Sequence, residues 1–509
     1  MGKLNKIEKL IPGAVLLGIS SLLSRVLGLV RDRILAGKFG ASEGTGIFDI
    51  DVYYAAFRIP DFLFAVLIIG AVSTAFIPIF SRYIDKKKMK EAWDFASNSL
   101  NLIAVALLVL AVIAFILAPQ IVKILTPGFH PEKLELTAKV TRIMLLSPIF
   151  FGLSSIAQSI QNTFKKFFYY ALAPILYNLS IIVFAYFWSD QYGVYAATAG
   201  VITGALLHFL IQVPAIVKLG FKYRPIFDRK REDFREMVRL LIPRVLSISS
   251  LQINLVIETL IASTLATGSV AILNYAYNLN SLPMGIIGIS IAIVSFATFS
   301  TLAGQKKHSE LTRTVRKNLT NILFFIIPSI AGLIVLREEI VTLILGIGKF
   351  SASDIHITAN MLGIMACGLI GQATIPLLAR VFYAYKDTRT PMKLTAAIVA
   401  INIILGVTLV FGLDLGIYGI AIASAVANLI GFAIFVTGLK SKDVRQVLDV
   451  KRLTKFILIS IAMGIITFFL KEITENLLLN TMAVIVIAAG FYFAAAEITK
   501  AMSIRELKS

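Results

Sequence analysis

Charged residues interrupt the first two long apolar segments of the chain. Arg25 and Arg31 lie in the first segment, and Asp51, Arg58 and Asp61 lie in the second. A charge at bilayer depth costs about 3 kcal/mol or more, so such a residue usually faces a wet cavity and has a function. Guanidinium groups offer planar pairs of donors that match phosphate oxygens. These residue types predict an anion-binding site, in which the carboxylates hold the arginines while the site is empty.

In the second segment the charges follow one side of a helix. Asp51, Tyr54 and Arg58 recur at intervals of three and four residues, which places them on one face, and Asp61 lies close beside it. Two interpretations stay open. Either these residues belong to the anion site, or Arg58 makes an internal structural ion pair with Asp51 or Asp61.

The first segment carries a comparable stripe. Ser24 and Arg31 share one helical face, and Arg25 lies on an adjoining one. If the two segments are antiparallel neighbours, Arg25 and Arg58 reach similar depths, since each lies roughly 16 to 20 Å from the end of its segment. Arg33 lies at the exit of the segment, where snorkelling to the outer headgroups is an equally good interpretation. We expect Ser24, Arg25 and Arg31 to contribute to the site.

The composition is that of a membrane protein. Of the 509 residues, 58% are hydrophobic, and the mean hydropathy is +0.85. The net charge of +20 raises the question of nucleic acid, but most of the 49 Lys and Arg residues lie in the termini and in alternate loops. This is the positive-inside bias, which accounts for the charge without nucleic acid. It predicts that both termini are cytoplasmic.

Apolar stretches of about 20 residues recur along the chain, which is the length a helix needs to cross a bilayer. We therefore predict an all-α polytopic protein with about fourteen transmembrane helices, the first a retained span rather than a signal peptide. A stretch at 228–241 has the pattern of an interfacial amphipathic helix. The predicted spans are 11–36, 47–81, 95–118, 136–163, 170–188, 193–217, 242–264, 269–303, 318–336, 355–384, 391–412, 416–438, 453–470 and 479–499.

A faint internal repeat relates the two halves of the chain. Residues of the same type recur at nearly the same offset. An even number of spans separates the copies, so the halves have the same orientation, and such parallel repeats place a substrate site at their interface. The matched pairs are Pro12 and Pro243, Pro60 and Pro283, Asn178 and Asn402, and Gly193 and Gly416.

Few other residues suggest chemistry. Glu258 lies within a predicted span and either carries a proton or monovalent cation, with Asn402 as a second ion-coupling candidate, or only hydrogen-bonds a neighbour. The chain has four scattered histidines and one cysteine, Cys367, so it offers no zinc spacing, metal site or disulfide. No Walker loop or HExxH motif occurs. We expect no cofactor other than a possible coupling cation or proton, and no use of ATP.

Five motifs together resemble the MurJ family of lipid II flippases, which belongs to a superfamily with MATE exporters and O-antigen flippases. The most specific is Ser-Arg-Val-Leu-Gly, which begins at Ser24, and the order and spacing match along nearly the whole chain. The motifs occupy residues 24–32, 56–61, 70–78, 126–129 and 386–391.

This resemblance implies two six-helix lobes around a central cationic cavity, at 1–225 and 226–440, and two further helices at 441–509 that form a groove for a polyprenyl tail. It implies a transporter rather than an enzyme, which acts as a monomer in the bacterial cytoplasmic membrane. It also implies alternating access that carries the lipid-linked peptidoglycan precursor, lipid II, a polyprenyl pyrophosphate-linked glycan, from the cytoplasmic to the outer leaflet. The cavity arginines of the family fall on Arg25 and Arg31, and its aspartate falls on Asp51.

The sequence departs from the family pattern at several usually charged positions. Phe64 and Ala65 replace a basic pair, Ile69 replaces a glutamate, and Asn278 replaces an arginine. Arg58 compensates in part, since that position is also basic in the family. We expect Asn278 to line the substrate site as a neutral residue. These changes make the cavity less basic than the family pattern, and they bear on which headgroup it accepts.

Three rival functions follow from the same sequence. The first is transport of another polyprenyl-linked oligosaccharide. The second is a MATE-like drug exporter, which would favour an acidic rather than an arginine-rich cavity. The third is a membrane-embedded transferase, which would need a general base or a metal site near the interface.

Overall fold

The computed structural model describes residues 13–65, 72–471 and 476–503. Every regular element within these ranges is helical, which confirms the predicted all-α class. The Cα packing divides the chain into two compact units. The first comprises Met1–Ala271 and Ile347–Phe350, and the second comprises Ile272–Gly346 and Ser351–Ser509. The predicted lobes, with boundaries at 225 and 440, stay a prediction, because they were defined by the repeat in the sequence and the two units are defined by Cα packing.

The helices of the first unit are named in chain order, and α11 continues into the second unit. They are α1 (Gly13–Phe39), α2 (Ile50–Phe64), α3 (Val72–Asp85), α4 (Met89–Leu125), α5 (Pro131–Met144), α6 (Ser147–Thr163), α7 (Phe168–Tyr192), α8 (Val194–Leu210), α9 (Val213–Lys218), α10 (Glu232–Ser263) and α11 (Ser269–Pro283).

The second unit contains the remaining helices. They are α12 (Ile289–Gly304), α13 (His308–Val335), α14 (Arg337–Leu345), α15 (Ala352–Ala366), α16 (Leu369–Ala384), α17 (Arg389–Val407), α18 (Gly416–Gly438), α19 (Val450–Leu470) and α20 (Leu477–Ile498).

Each predicted span falls on one or two of these helices, but the count of fourteen is not confirmed. In the described residues, ten helical stretches are long and apolar enough to cross a membrane, and the bent pair α15 and α16, with a 45° bend, would make eleven. The other predicted spans fall on α1, on α2 with α3, and on α10. α2 has 15 residues and α3 has 14, so each is shorter than the roughly 20 residues that a helix needs to cross a bilayer. α1 is long enough but carries several charged residues.

Backbone geometry supports the internal repeat. Gly193 and Gly416 both have positive φ, at 54° and 53°, where α8 and α18 begin. Lys165 and Lys386 match in the same way, with φ of 55° and 61° after α6 and α16. Lysine rarely adopts a positive φ, so at Lys165 and Lys386 the turn between helices fixes the backbone conformation, and the flexibility of glycine is not its cause. Of the matched prolines, Pro12 lies outside the described residues.

The amphipathic stretch at 228–241 is not a separate helix. α10 runs without a break from Glu232 to Ser263. Met237 is fully buried and packs with Phe76, Phe80 and Trp93 in the core of the first unit. The apolar face predicted to lie in the membrane interface therefore covers α3 and α4 instead.

A large apolar cluster lies in the core of the second unit. It includes residues of α12, α13, α16, α19 and α20. Phe324 of α13 packs against Phe456 and Tyr492, and the Tyr492 hydroxyl donates to the Phe324 carbonyl at 2.8 Å. This contact fixes the two C-terminal helices against α13.

Candidate anion site in the first unit

The site is built first from the packing of α1 against α7. Ser20 donates a hydrogen bond to the Ala171 carbonyl, which joins the two helices one turn before Ser24. From there Ser24 and Arg31 face α7 and reach Asn178, which lies in the same helix as Ala171. The helical stripe predicted for Ser24 and Arg31 is therefore the contact face of α1.

Asn178 connects Ser24 with Arg31. Its amide nitrogen donates to Ser24 Oγ at 3.2 Å, and its amide oxygen accepts from Arg31 Nη1 at 3.2 Å. Two further nitrogens of Arg31 donate to one oxygen of Asp32, at 3.0 and 2.9 Å. The Arg31 side chain is 22% exposed, whereas Asp32 is almost completely buried. Arg31 is thus held in place on two sides, with part of its guanidinium still accessible.

Arg58 and Asp61 lie near Arg31. The positive charges of Arg58 and Arg31 both act on the Asp61 carboxylate. Arg58 Nε also donates to Thr259 Oγ1 at 2.8 Å, which anchors it to α10. The structure therefore brings together three of the predicted site residues, two arginines and one aspartate, from α1 and α2.

Arg25 differs from the other two arginines. It is half-buried in α1, and within the described part of the chain no hydrogen bond or ion pair engages its guanidinium. A half-buried guanidinium without an internal partner retains its full set of donors for an anion.

The Asp51 carboxylate contacts groups other than these arginines. Its carboxylate is buried and accepts hydrogen bonds from Lys133 Nζ at 3.0 Å and from the backbone N–H groups of Gly268 and Ala271, at 2.7 and 2.8 Å. Lys133 also pairs with Asp49 at 2.6 Å, so one ammonium lies between two carboxylates. The sequence predicted a substrate-site role for Asp51, and that role stays a prediction, whereas its observed partners are structural.

Sequence reasoning missed Lys133. The ammonium contacts the ring face of Phe129 at 4.1 Å in addition to the two carboxylates. One signal was present, because Lys133 falls in a predicted outer loop, where lysine is rare under the positive-inside bias. A basic residue on that side usually has a specific partner.

An aromatic cluster occupies the position where the family pattern has a basic pair. The ring of Phe64 packs against Phe151 at a tilt of 43°, with 4.7 Å between ring centroids, and Phe151 contacts Tyr177 and His208. Ala65 is 2% exposed. These two departures therefore fill a packed region, while Ile69 lies outside the described residues.

The remaining candidates lie elsewhere. Glu258 is buried in α10, and its carboxylate accepts from Asn254 Nδ2 at 3.0 Å. Asn278 and Asn402 belong to the second unit, where Asn402 is 7% exposed and the Asn278 carbonyl accepts from Ser281.

The arginine arrangement suits reversible binding of an anion. The described residues contain no group of three His, Cys, Asp or Glu side chains that could hold a metal ion. Arg31 and Arg58 are fixed by hydrogen bonds, so little side-chain freedom is lost when an anion binds them. Pyrophosphate, with several acceptor oxygens, matches guanidinium groups of this kind.

The fold and this polar core define a multi-pass membrane protein with the architecture of MATE transporters. An inward-facing MATE transporter of the MOP superfamily superposes with a TM-score of 0.71 over 85% of this chain and 99% of its own, at 16% identity. A family model described as lipid II flippase MurJ matches residues 38–488, and the chain belongs to this MurJ family.

Individual relatives agree with this assignment. A probable lipid II flippase MurJ of Buchnera aphidicola is 30% identical over 81% of this chain and 80% of the relative. Its counterpart from Thermotoga maritima is 29% identical over 96% of both chains. A solved structure of lipid II flippase MurJ in an inward closed conformation matches with a TM-score of 0.82 and 29% identity, over 97% of this chain and 100% of its own. The resemblance stated from the motifs is confirmed.

Proposed function

We propose that this chain translocates lipid II from the cytoplasmic to the outer leaflet of the bacterial cytoplasmic membrane by alternating access. The observation that carries the proposal is the unengaged guanidinium of Arg25 on the same helix as Arg31, in a member of the MurJ family. The pyrophosphate of the substrate supplies the anionic oxygens that such a pair requires.

Each residue has a distinct task in this proposal. Arg25 makes the first contact with the pyrophosphate, and Arg31 and Arg58 complete the binding of its charge. Asp61 balances the two fixed arginines while the site is empty, and Asn178 sets the orientation of Arg31. Asn278 lines the path of the headgroup. Asp51 contributes by holding the start of α11.

The transport cycle needs no covalent step. The chain then acts as a transporter and not as an enzyme, as a monomer, with both termini in the cytoplasm. The driving force is a monovalent cation or a proton. Glu258 is the candidate carrier for it, because its carboxylate is buried, and Asn402 is the second candidate.

Complementation tests the proposal. A bacterium depleted of its own lipid II flippase should be rescued by this chain, and its accumulated precursor should fall. Arg25→Ala should abolish rescue, while Lys38→Ala should retain it. Lys38 is a suitable matched control, because it lies in the same helix and pairs at the exposed end with Asp190. Normal rescue by Arg25→Ala, with the protein present in the membrane, would refute the site.

A second candidate is transport of another polyprenyl-linked glycan. The observation in its favour is the aromatic packing of Phe64, which leaves fewer cations for a headgroup than the family pattern has. Failure of rescue by a well-expressed chain, together with transport of a different lipid-linked glycan in proteoliposomes, would select this alternative. The arginines would then serve the pyrophosphate common to both substrates.

A further inference from the structure

A cationic cleft lies in the second unit, whereas the arginines described above belong to the first unit. It has a volume of about 440 Å³ and is formed by the end of α13, the start of α14, α15 and the start of α18. Arg337 and Asn360 provide polar groups, and Ile334, Ile364 and Cys367 provide an apolar wall. The combination of one fixed cation and an apolar wall indicates an amphiphilic ligand.

The Arg337 side chain is held in one position. Its Nε donates to Asn360 Oδ1 at 3.2 Å, and its Nη1 donates to the Ile334 carbonyl at 2.8 Å. Its aliphatic stem lies against Gly363, where an added Cβ would come within 3.1 Å of Arg337 Cδ. Among the described contacts none uses Nη2, so this nitrogen keeps its donors for a ligand in the cleft.

The acidic neighbours of Arg337 are already engaged by other groups. Glu338 is hydrogen-bonded to His356 at 3.1 Å, and Glu339 lies 3.7 Å from the ammonium of Lys471. Neither carboxylate forms an ion pair with Arg337. The guanidinium therefore presents an uncompensated positive charge to the cleft.

The apolar wall extends beyond the cleft. Ile334 also lines an apolar groove of about 430 Å³ between α13 and α19, with Gly464 and Phe468 on its other side. A molecule with its anionic head at Arg337 therefore has a continuous apolar surface for a hydrocarbon chain. A soluble anion would use the arginine alone and leave this surface bare.

We propose that this cleft binds an anionic phospholipid of the surrounding bilayer, with its phosphate at Arg337 and an acyl chain along Ile334. The cleft uses none of the substrate arginines, and it would tie the second unit to the lipid composition of its leaflet. α13 starts at the basic loop that contains Lys306 and Lys307, and Arg337 follows its other end. That leaflet is the outer one if the orientation given under Proposed function holds.

Cys367 provides a direct readout. It is the only cysteine of the chain, it is exposed, and it lines the cleft, so no labelling site needs to be introduced. The full chain in nanodiscs of phosphatidylcholine is treated with N-ethylmaleimide, and alkylation is followed by mass spectrometry. Addition of phosphatidylglycerol should slow alkylation about tenfold, the size that one charge-assisted hydrogen bond supports.

Two variants locate the effect. Arg337→Gln should lose the protection by phosphatidylglycerol, and Arg337→Lys should keep part of it. Arg380→Gln is the matched control, because Arg380 is a half-buried arginine of the same unit that does not line the cleft. It should be protected like the unmodified chain.

Three results would overturn the proposal. The first is equal alkylation with and without phosphatidylglycerol. The second is unchanged protection in Arg337→Gln. The third is equal protection by inorganic phosphate in phosphatidylcholine nanodiscs, which would assign the cleft to a soluble anion. None of these results depends on transport of lipid II, so the proposed function and this site are tested separately.

Discussion

The ammonium of Lys133 lies 3.0 Å from the carboxylate of Asp51, and both side chains are almost completely buried. Two backbone N–H groups at the start of α11 donate to the same carboxylate. A buried ion pair is favourable only when further hydrogen bonds satisfy its remaining oxygens, and this one meets that condition. The contact joins α2, α5 and the first turn of α11 within the first unit.

We expect Asp51→Asn to destabilise the protein by about 3 to 5 kcal/mol, because it leaves a buried cation with weaker compensation. The measurement is the apparent melting temperature of purified protein in detergent. Asp414→Asn is the matched control, since Asp414 lies in an exposed loop, and it should melt like the unmodified chain. Equal melting temperatures for Asp51→Asn and the unmodified chain would show that the buried ion pair does not stabilise the contact between these helices.

Asn178→Ala should impair transport without unfolding the protein. The change removes the acceptor for Arg31 Nη1 and leaves Arg31 paired with Asp32 alone. A hydrogen bond to a charged group contributes about 1.5 to 3 kcal/mol, so substrate binding should weaken roughly 10- to 100-fold. Lipid II exposure in proteoliposomes gives the rate, and Asn178→Asp, which keeps an acceptor for Arg31, should be less affected. A normal rate for Asn178→Ala would show that Arg31 needs no support from α7.

The matched glycines Gly193 and Gly416 should respond differently to alanine. At Gly193 a Cβ would lie 2.1 Å from the Ile47 carbonyl oxygen, whereas at Gly416 nothing lies within 4 Å. Both positions have positive φ, which costs an L-residue about 1 to 2 kcal/mol. Gly416→Ala should therefore lower the melting temperature slightly and Gly193→Ala severely. Similar losses for both variants would mean that α8 shifts away from Ile47 at little cost.

Acid should weaken the second unit through Asp387. Burial raises the pKa of Asp387, but hydrogen bonds from Lys442 and Thr390 outweigh it and lower the pKa to about 2. A carboxyl with a lowered pKa stabilises the fold above its ordinary pKa of about 3.9, and this stabilisation is lost as the pH falls toward 2. Melting temperatures measured from pH 5 to pH 2 should fall more steeply for the unmodified chain than for Lys442→Met. Parallel pH profiles would exclude this ion pair as the cause.

Much of the fold follows from local pattern. Hydrophobic length and the distribution of charge predicted an all-helical membrane protein. The charges of Arg31 and Arg58 interrupt the apolar pattern at positions where the structure has polar contacts. Helical spacing also predicted that Ser24 and Arg31 share a face. These features depend on residues only a few positions apart, which sequence periodicity can reveal.

The partners across helices were not predictable in the same way. Asn178 was matched only as part of the repeat, although it bonds both Ser24 and Arg31. Lys133 was not considered, because periodicity gives the faces of a helix but not which faces meet. The separate amphipathic helix was predicted for the same reason. An apolar face at 234–241 suits a membrane surface and a protein core equally well, and the sequence does not show which of the two it contacts.

Residues with positive φ occur at matched positions of the two halves, although the helices of the two halves carry different polar side chains. Lys165 and Lys386, like Gly193 and Gly416, bend the backbone at corresponding points, while the side chains between them have diverged. The turning points of the backbone therefore do not depend on the polarity of the helices that they connect, and the two halves can share one chain path while they offer different chemical groups.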